Sequence, residues 1–495
     1  MSASKEGHPD QNPWRAGLMR VVLASVTLLG SSLSANALPL FARQTGQNCI
    51  ACHAGGQFPE LTPYGRMFKL TGYTIGQRTT PLSAMVLATN SRVANTSKSD
   101  QPSQDFQKDG ETILATASLF LGGKIADNVG AFAQITHDPY AVQSSDGSFH
   151  GHTQADNIDL RYADHFIDAH RDLVVGVSVN NNPSLSDPWN TSAAWMQYVP
   201  VPSPTSSRFI DGAAPYPSYA AGSNIAGATV YGFWNRTWYA EVGAYGTSRG
   251  PFSVLHAGIS SDAVTKLAGL NPYWRLAWNH EWGPHSLMIG TAGMTARIYD
   301  NPLDTSDNST LHHTRDLMFD TQYQYLLDPH SITAQFVYER SKHRYPDAIA
   351  NQPVLFVDAL GNALPNTNSQ DTTNLLRAKL TYVFQARYGG SVSLFRLSGS
   401  TNTANQTSGL SPDTLTVASD PTAQAPSQRV GGSLNGNPAT SGGTVEAFWM
   451  PWQYVRIGAQ YSAYSRYNGA ATNYDGFGRN ARDNNSLFLY LWAAY

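Results

Sequence analysis

Between residue 82 and the C-terminus, successive stretches of the chain alternate apolar and polar positions with a period of two. In residues 273–282, Trp274, Leu276, Trp278 and Trp282 fall on one face of an extended chain, with Arg275, Asn279 and Glu281 on the other. Leu376, Ala378, Leu380, Tyr382 and Phe384 likewise oppose Arg377, Lys379, Thr381 and Gln385, and Val455, Ile457, Ala459 and Tyr461 oppose Arg456, Gly458 and Gln460. Successive side chains of a strand point to opposite sides, so each stretch has one apolar and one polar face. Strands are expected near 82–91, 112–124, 128–137, 155–165, 171–180, 225–233, 237–246, 271–282, 285–298, 314–327, 330–343, 371–386, 389–400, 441–450, 453–466 and 484–495, which makes sixteen.

Alternation alone also suits a soluble β-sandwich. The connections separate the two. Ala126-Asp127, Trp234-Asn235-Arg236, Gly283-Pro284, Asp328-Pro329, Arg387-Tyr388 and Pro451-Trp452 are tight turns, whereas the links around 92–111, 181–224, 344–370 and 401–440 are long and polar. Short turns at one end and long loops at the other are how outer-membrane barrels are built. An even strand count returns the C-terminus to the side of the first strand, which places both termini on the periplasmic side. Leu487, Leu489, Leu491, Ala493 and Tyr495 make an apolar terminal strand like those of bacterial outer-membrane proteins.

Composition agrees with a barrel. There are 25 Tyr, 19 Phe, 11 Trp and 42 Gly, and only 14% of residues are charged, against about 25% in ordinary soluble domains. Net charge is −3 with no basic run, which argues against nucleic acid as a partner. The predicted fold is an all-β transmembrane barrel of about 16 antiparallel strands spanning 81–495 and embedded in outer-membrane lipid.

The N-terminus carries the export signal and the chemistry. Residues 1–37 read as a secretory signal peptide: a polar start with Arg15 and Arg20, an apolar run from Val21 to Leu33, and an A-x-A site at Ala35-Asn36-Ala37. The mature chain is expected to begin at Leu38. Cys49-Ile50-Ala51-Cys52-His53 then holds both cysteines of the chain in the C-x-x-C-H arrangement that attaches a c-type haem. Each thiol can add to a vinyl group and His53 can ligate the iron from the same edge. A Cys49–Cys52 disulfide, a thioredoxin-like pair or half a zinc site would not use His53 in this way, and no further Cys completes a zinc cluster.

Residues 38–80 form the expected monohaem cytochrome c segment, too short to bury a cytochrome core alone. Phe41, Phe58, Tyr64, Phe68 and Tyr73 are candidates to wall the haem. Thr62 is placed to cap a short helix starting at Pro63, with Tyr64, Met67 and Phe68 along one side. The segment is expected inside the barrel as a plug, where inward-facing Arg275, Glu281, Arg377 and Lys379 would meet Arg43, Glu60, Arg66 and Lys69.

Phe41-Ala42-Arg43-Gln44-Thr45-Gly46 before the haem motif, with Phe58-Pro59, Leu61-Thr62, Gly65-Arg66, Phe68-Lys69-Leu70 and Gly72-Tyr73 after it, resembles the fused monohaem cytochrome-porin family of iron-oxidising bacteria. The match covers about 35 residues; the remainder is similar to that family in architecture. The resemblance implies an outer-membrane cytochrome that takes an electron from extracellular Fe(II) and passes it through one covalently bound haem c to a periplasmic carrier, such as a soluble cytochrome c or a cupredoxin. Two other readings stay open: a transport porin with a regulatory haem, and an electron conduit for another donor.

His53 is the expected proximal iron ligand, with Cys49 and Cys52 as the covalent attachment. Met67, fourteen residues beyond His53, is a candidate sixth ligand whose thioether would raise the potential; Met85, a lumen histidine or an open position are its competitors. Asp146, His150, His152 and Asp156 in one expected loop, and His312-His313 in another, could meet ferrous iron, though solvated loop residues are the commoner role.

Overall fold

The computed structural model describes residues 39–56, 59–95, 110–143, 149–191, 225–255, 266–299, 304–346, 356–357, 363–364, 368–402, 433–434, 436–474 and 478–495. The expected signal peptide, Leu38, Phe58 and Asp146 lie outside them.

Sixteen strands form one closed antiparallel barrel. In chain order these are β1 Leu82–Val93, β2 Thr112–Lys124, β3 Val129–Gln143, β4 Phe149–Ile167, β5 Asp172–Asn180, β6 Ile225–Trp234, β7 Trp238–Thr247, β8 Asn271–Trp282, β9 His285–Ile298, β10 His312–Leu327 and β11 His330–Arg344, followed by β14 Gln370–Phe384, β15 Tyr388–Gly399, β16 Thr440–Trp452, β17 Val455–Arg466 and β18 Ser486–Ala494. A separate two-residue pair, β12 Phe356–Val357 and β13 Ala363–Leu364, sits in the connection after β11. Each barrel strand pairs with its sequence neighbours, and β1 pairs with β18 from Met85↔Ala494 to Val93↔Ser486, which closes the ring and removes both sheet edges.

All sixteen strands fall where the alternation puts them, with one hairpin longer than expected. β3 runs on to Gln143 and β4 begins at Phe149, so His150, His152 and Asp156 are strand residues and not loop residues. The stretch from His150 to Gln154 has no apolar face to announce a strand, and cross-strand pairing such as Asp138↔His152 carries it. His312 and His313 similarly open β10 and do not lie in a loop.

The faces sort as the period of two requires. Arg275 and Asn279 are buried while Leu276 and Trp282 are exposed, and the same holds for Arg456 and Gln460 against Ile457 and Tyr461. In a closed barrel the buried face is the inside. The outside carries Val86, Leu160, Val230, Val242, Leu317 and Leu394 in exposed positions, with Trp234, Trp238, Trp282, Tyr388, Trp452 and Tyr495 at the short-turn rim. An apolar outer band bordered by aromatic side chains matches lipid and its interface, where indole and phenol rings settle. Two of the short turns place consecutive non-glycine residues in the left-handed region: Asn235 and Arg236 at φ 50° and 55°, and Gln385 and Ala386 at 53° and 50°. Three residues separate the paired strand ends in each, Trp234 from Trp238 and Phe384 from Tyr388, and the consecutive left-handed pair gives a turn whose twist matches the strands.

The connection after β5 departs from a surface loop. The stretch folds back along the inner wall, with residues 181–183 and 185–191 buried and Trp189 fully enclosed. Arg275 holds this stretch through Asp187 at 3.1 Å while also bonding Asp320 at 2.7 Å.

Candidate functional site

The haem motif forms one helical turn, α2, Cys49–Cys52, preceded by α1, Pro39–Thr45, and followed by α3, Pro63–Leu70. Asn48 precedes α2 with extended backbone, and the His53 N–H donates to the Cys49 carbonyl at 2.8 Å. His53 then leaves the helix and bridges Leu61 as a strand pair. The link between them folds tightly: the Ala54 N–H donates to the Glu60 carbonyl and that of Thr62 to the Cys52 carbonyl, each at 2.9 Å. Gly55, at φ 70°, presses on Val383 of β14, where a β-carbon would come within 2.5 Å.

Thr62 caps α3, its Oγ1 accepting from the Gly65 N–H at 3.1 Å, and Pro63 occupies the first turn, where its missing N–H costs nothing. The helix lies on α2 so closely that a β-carbon at Gly65 would stand 2.1 Å from the Cys52 carbonyl oxygen. The expected cap and helix start are therefore present, and Gly65 gives them their position.

Cys49, Cys52 and His53 line a single cavity enclosing about 880 Å³ of space between atoms, part of it open to solvent. Phe41, Phe68 and Tyr73 of the N-terminal segment and Phe120 and Phe132 of β2 and β3 form its aromatic walls. Phe41 stacks on Tyr73 with centroids 5.6 Å apart and meets Phe68 edge-on at 5.0 Å. Two thiols and an imidazole lining one aromatic-walled cavity form a donor set that could hold a porphyrin by its edge and its iron. Burial lowers the His53 imidazole to about 4 against the opposing pull of Glu60, which keeps it in the neutral form that metal ligation requires. Burial raises the Cys52 thiol to about 11.

Met67 is not brought to this cavity. Gly65, Phe68 and Lys69 line it, whereas Met67 packs against the cluster of Leu70, Val174, Trp189 and Tyr239. Met85 lies among Leu40, Phe68 and Tyr73, and its sulfur accepts from Trp492 Nε1 at 3.3 Å.

The segment is fastened by polar contacts to inward-facing groups. Arg66, only 2% exposed, donates to Glu281 at 3.1 Å, Ser286 at 2.8 Å and Gln324 at 3.0 Å. Glu60 pairs with Lys379 at 3.3 Å. Lys69 donates to the Asp187 carbonyl at 2.6 Å and to Asn190 Oδ1 at 3.0 Å, and Asn190 in turn donates to the Pro59 carbonyl. Tyr73 donates to Asp159 at 2.6 Å, and Tyr231 donates to the Leu70 carbonyl at 2.6 Å. Sequence reasoning missed Asp187, Asn190, Asp159 and Tyr231 as partners. The first two sit in a connection that carries no local signal of folding inward.

These contacts cluster toward the short-turn end. Cys49 Sγ lies 3.4 Å from the Gln453 carbonyl in the turn between β16 and β17, and the Lys124 N–H at the end of β2 donates to Gln44 Oε1 at 3.0 Å. Tyr495, at the chain's end, bonds Ala84 near the start of β1 at this same rim.

No protein-family model matches the sequence, and neither does any curated protein. Among solved structures the barrel resembles outer-membrane porins. OmpF of Salmonella typhi, in complex with daunomycin, is 10% identical, with 84% of this chain and 97% of that chain covered at a TM-score of 0.43. OprB of Pseudomonas putida is 12% identical over 90% and 100% of the two chains, also at 0.43. The outer-membrane channel DcaP of Acinetobacter baumannii is 10% identical over 84% and 96%, at 0.38. The sixteen-stranded closed barrel itself rests on the strand pairing.

Proposed function

We propose that this barrel is an outer-membrane c-type cytochrome that oxidises extracellular ferrous iron and delivers the electron to a periplasmic carrier. The observation that carries the reading is the convergence of Cys49, Cys52 and His53 on one aromatic-walled cavity, at the end of the barrel where both described chain ends lie. That end faces the periplasm and the long loops face the medium, as in barrels with short periplasmic turns.

In this reading the two cysteines attach haem c, His53 ligates its iron, and residues 38–80 are the plug that carries it. When bound, the haem supplies a one-electron site that ferrous iron reduces and a soluble periplasmic carrier re-oxidises. The protein's part is position and exclusion. Arg66, Lys69 and Tyr73 hold the segment against the wall, and the aromatic rings give the cavity apolar sides that a porphyrin would pack on. Keeping iron outside matters because ferric product hydrolyses to a solid.

A transport porin in which haem is regulatory is the second reading, favoured by the porin-like barrel. Anaerobic addition of a ferrous salt to the purified, oxidised protein discriminates between them. Reduction of the haem together with negligible single-channel conductance supports the oxidase; a conducting pore with haem left oxidised supports the porin.

A further inference from the structure

We propose that the inner face of β10 and β11, just inside the long-loop rim, is an uptake site for a divalent first-row transition cation, with the imidazoles of His312 and His343 as ligands and the Glu339 carboxylate behind them. His312 Nδ1 and His343 Nε2 converge from neighbouring strands to 2.7 Å, and both rings are half-buried. Two imidazole nitrogens bound at about 2.1 Å and at right angles on one metal stand roughly 3.0 Å apart, so a small opening of the pair admits an ion.

The pair is also braced. His343 stacks on Tyr345 with centroids 4.5 Å apart, Tyr345 donates to Asp371 at 3.0 Å, and Asn368 and Asn402 each donate to the same carboxylate at 2.6 Å. Asp371 stands opposite His343 in the β11–β14 register.

Glu339 supplies the second, independent observation. It lies four residues down β11 on the same inner face, about 13 Å below His343 at the usual rise of a strand. It is 5% exposed, and neither carboxylate oxygen has a hydrogen-bond partner among the described residues. Burying a carboxylate in this way is costly unless it takes up a proton or a cation reaches it. Asp316, opposite Ser341, lies between the two levels, while Arg377, opposite Val337, sets a positive lower edge one inward step beneath Glu339.

Imidazole nitrogen and carboxylate oxygen suit ferrous iron and its divalent neighbours. Among the described residues no three His, Cys, Asp or Glu groups stand together as a metal cage. Two imidazoles with a carboxylate beyond them make a weak, exchangeable site, which suits a substrate better than a resident ion. That the cation is the electron donor rests on the function proposed above; that the site takes up divalent cations does not.

The test uses the haem-loaded chain in detergent micelles, with zinc as a redox-inert probe and ferrous salt as donor. Calorimetric zinc titration of His312→Gln/His343→Gln is expected to show one site weakened at least tenfold, and the isosteric Glu339→Gln a several-fold loss, with haem reduction by ferrous salt slowed in parallel. Unchanged zinc binding in both variants overturns the proposal, whether or not ferrous iron reduces the haem. Weakened zinc binding with no haem reduction even in the parent chain leaves the uptake site standing and removes the oxidase reading.

Discussion

Gly65 on α3 lies directly against Cys52 of the haem motif, with room for a hydrogen and none for a methyl group: a β-carbon there would sit 2.1 Å from the Cys52 carbonyl oxygen. The contact sets how α3 lies on α2, and with it where Phe68 and Lys69 stand on the cavity wall. Gly65→Ala is therefore expected to push α3 off α2, at a cost of about 1–3 kcal/mol typical of overpacking. Haem content per chain should fall while the barrel still resists unfolding by detergent at room temperature. Absorbance against protein concentration checks the first, and gel mobility with and without heating checks the second.

Arg66, itself buried, joins the N-terminal segment to the wall through the part-exposed Glu281, which also has Arg236 at 3.9 Å. Removing Arg66 therefore leaves Glu281 with water and Arg236 as partners, and the loss is mainly of the Arg66 hydrogen bonds, about 1–3 kcal/mol. Arg66→Ala should loosen residues 39–76 without opening the strands, visible as proteolysis confined to that segment. Glu281→Gln, which keeps an acceptor for Arg66, should be milder. Equal loosening in both variants would mean that the charge, and not the retained hydrogen bond, carries the contact; no loosening in either would mean that the pair contributes nothing.

The sixteen strands were legible because lipid on one side and a polar interior on the other force a period of two, and because short turns punctuate it. The long β3–β4 hairpin was not legible: beyond the apolar band both faces of a strand are polar, as at His150–Gln154. Nor was the inward course of residues 181–191, since Asp187, Trp189 and Asn190 are buried by tertiary contacts with Lys69, Arg275 and Tyr239 and not by any local pattern. The Thr62 cap was readable from its spacing. Which side of α3 faces the cavity was not, because Met67 and Phe68 are neighbours on one turn and only packing separates them.

Met67 packs on the Trp189 and Tyr239 side of α3, away from the cavity lining. Met67→Leu, nearly equal in volume, should leave the visible and near-infrared spectrum of the oxidised haem unchanged and cost less than about 1.5 kcal/mol. Loss of a thioether–iron charge-transfer band in the variant would instead put Met67 on the iron.

Burial pushes Lys69 down to about 7, reinforced by Arg161 and opposed by Asp187. The folded protein therefore releases a proton that the unfolded chain keeps until its ordinary value of 10.5. Between about pH 7 and 10.5 the unfolded state binds more protons, so stability from this group rises with pH. Thermal unfolding in micelles across this window should show an upward slope that Lys69→Met flattens; an unchanged slope in the variant would assign it to another group.

The proposed covalent attachment of one haem c through Cys49 and Cys52 is read out by intact-mass analysis. The chain is produced in a host that matures c-type cytochromes, extracted from the outer membrane and denatured before measurement. The parent chain is expected to carry the added mass of one haem, absent from Cys49→Ala/Cys52→Ala although that variant still reaches the membrane as a folded barrel. An unmodified parent mass, or haem retained through denaturation in the double variant, would contradict it.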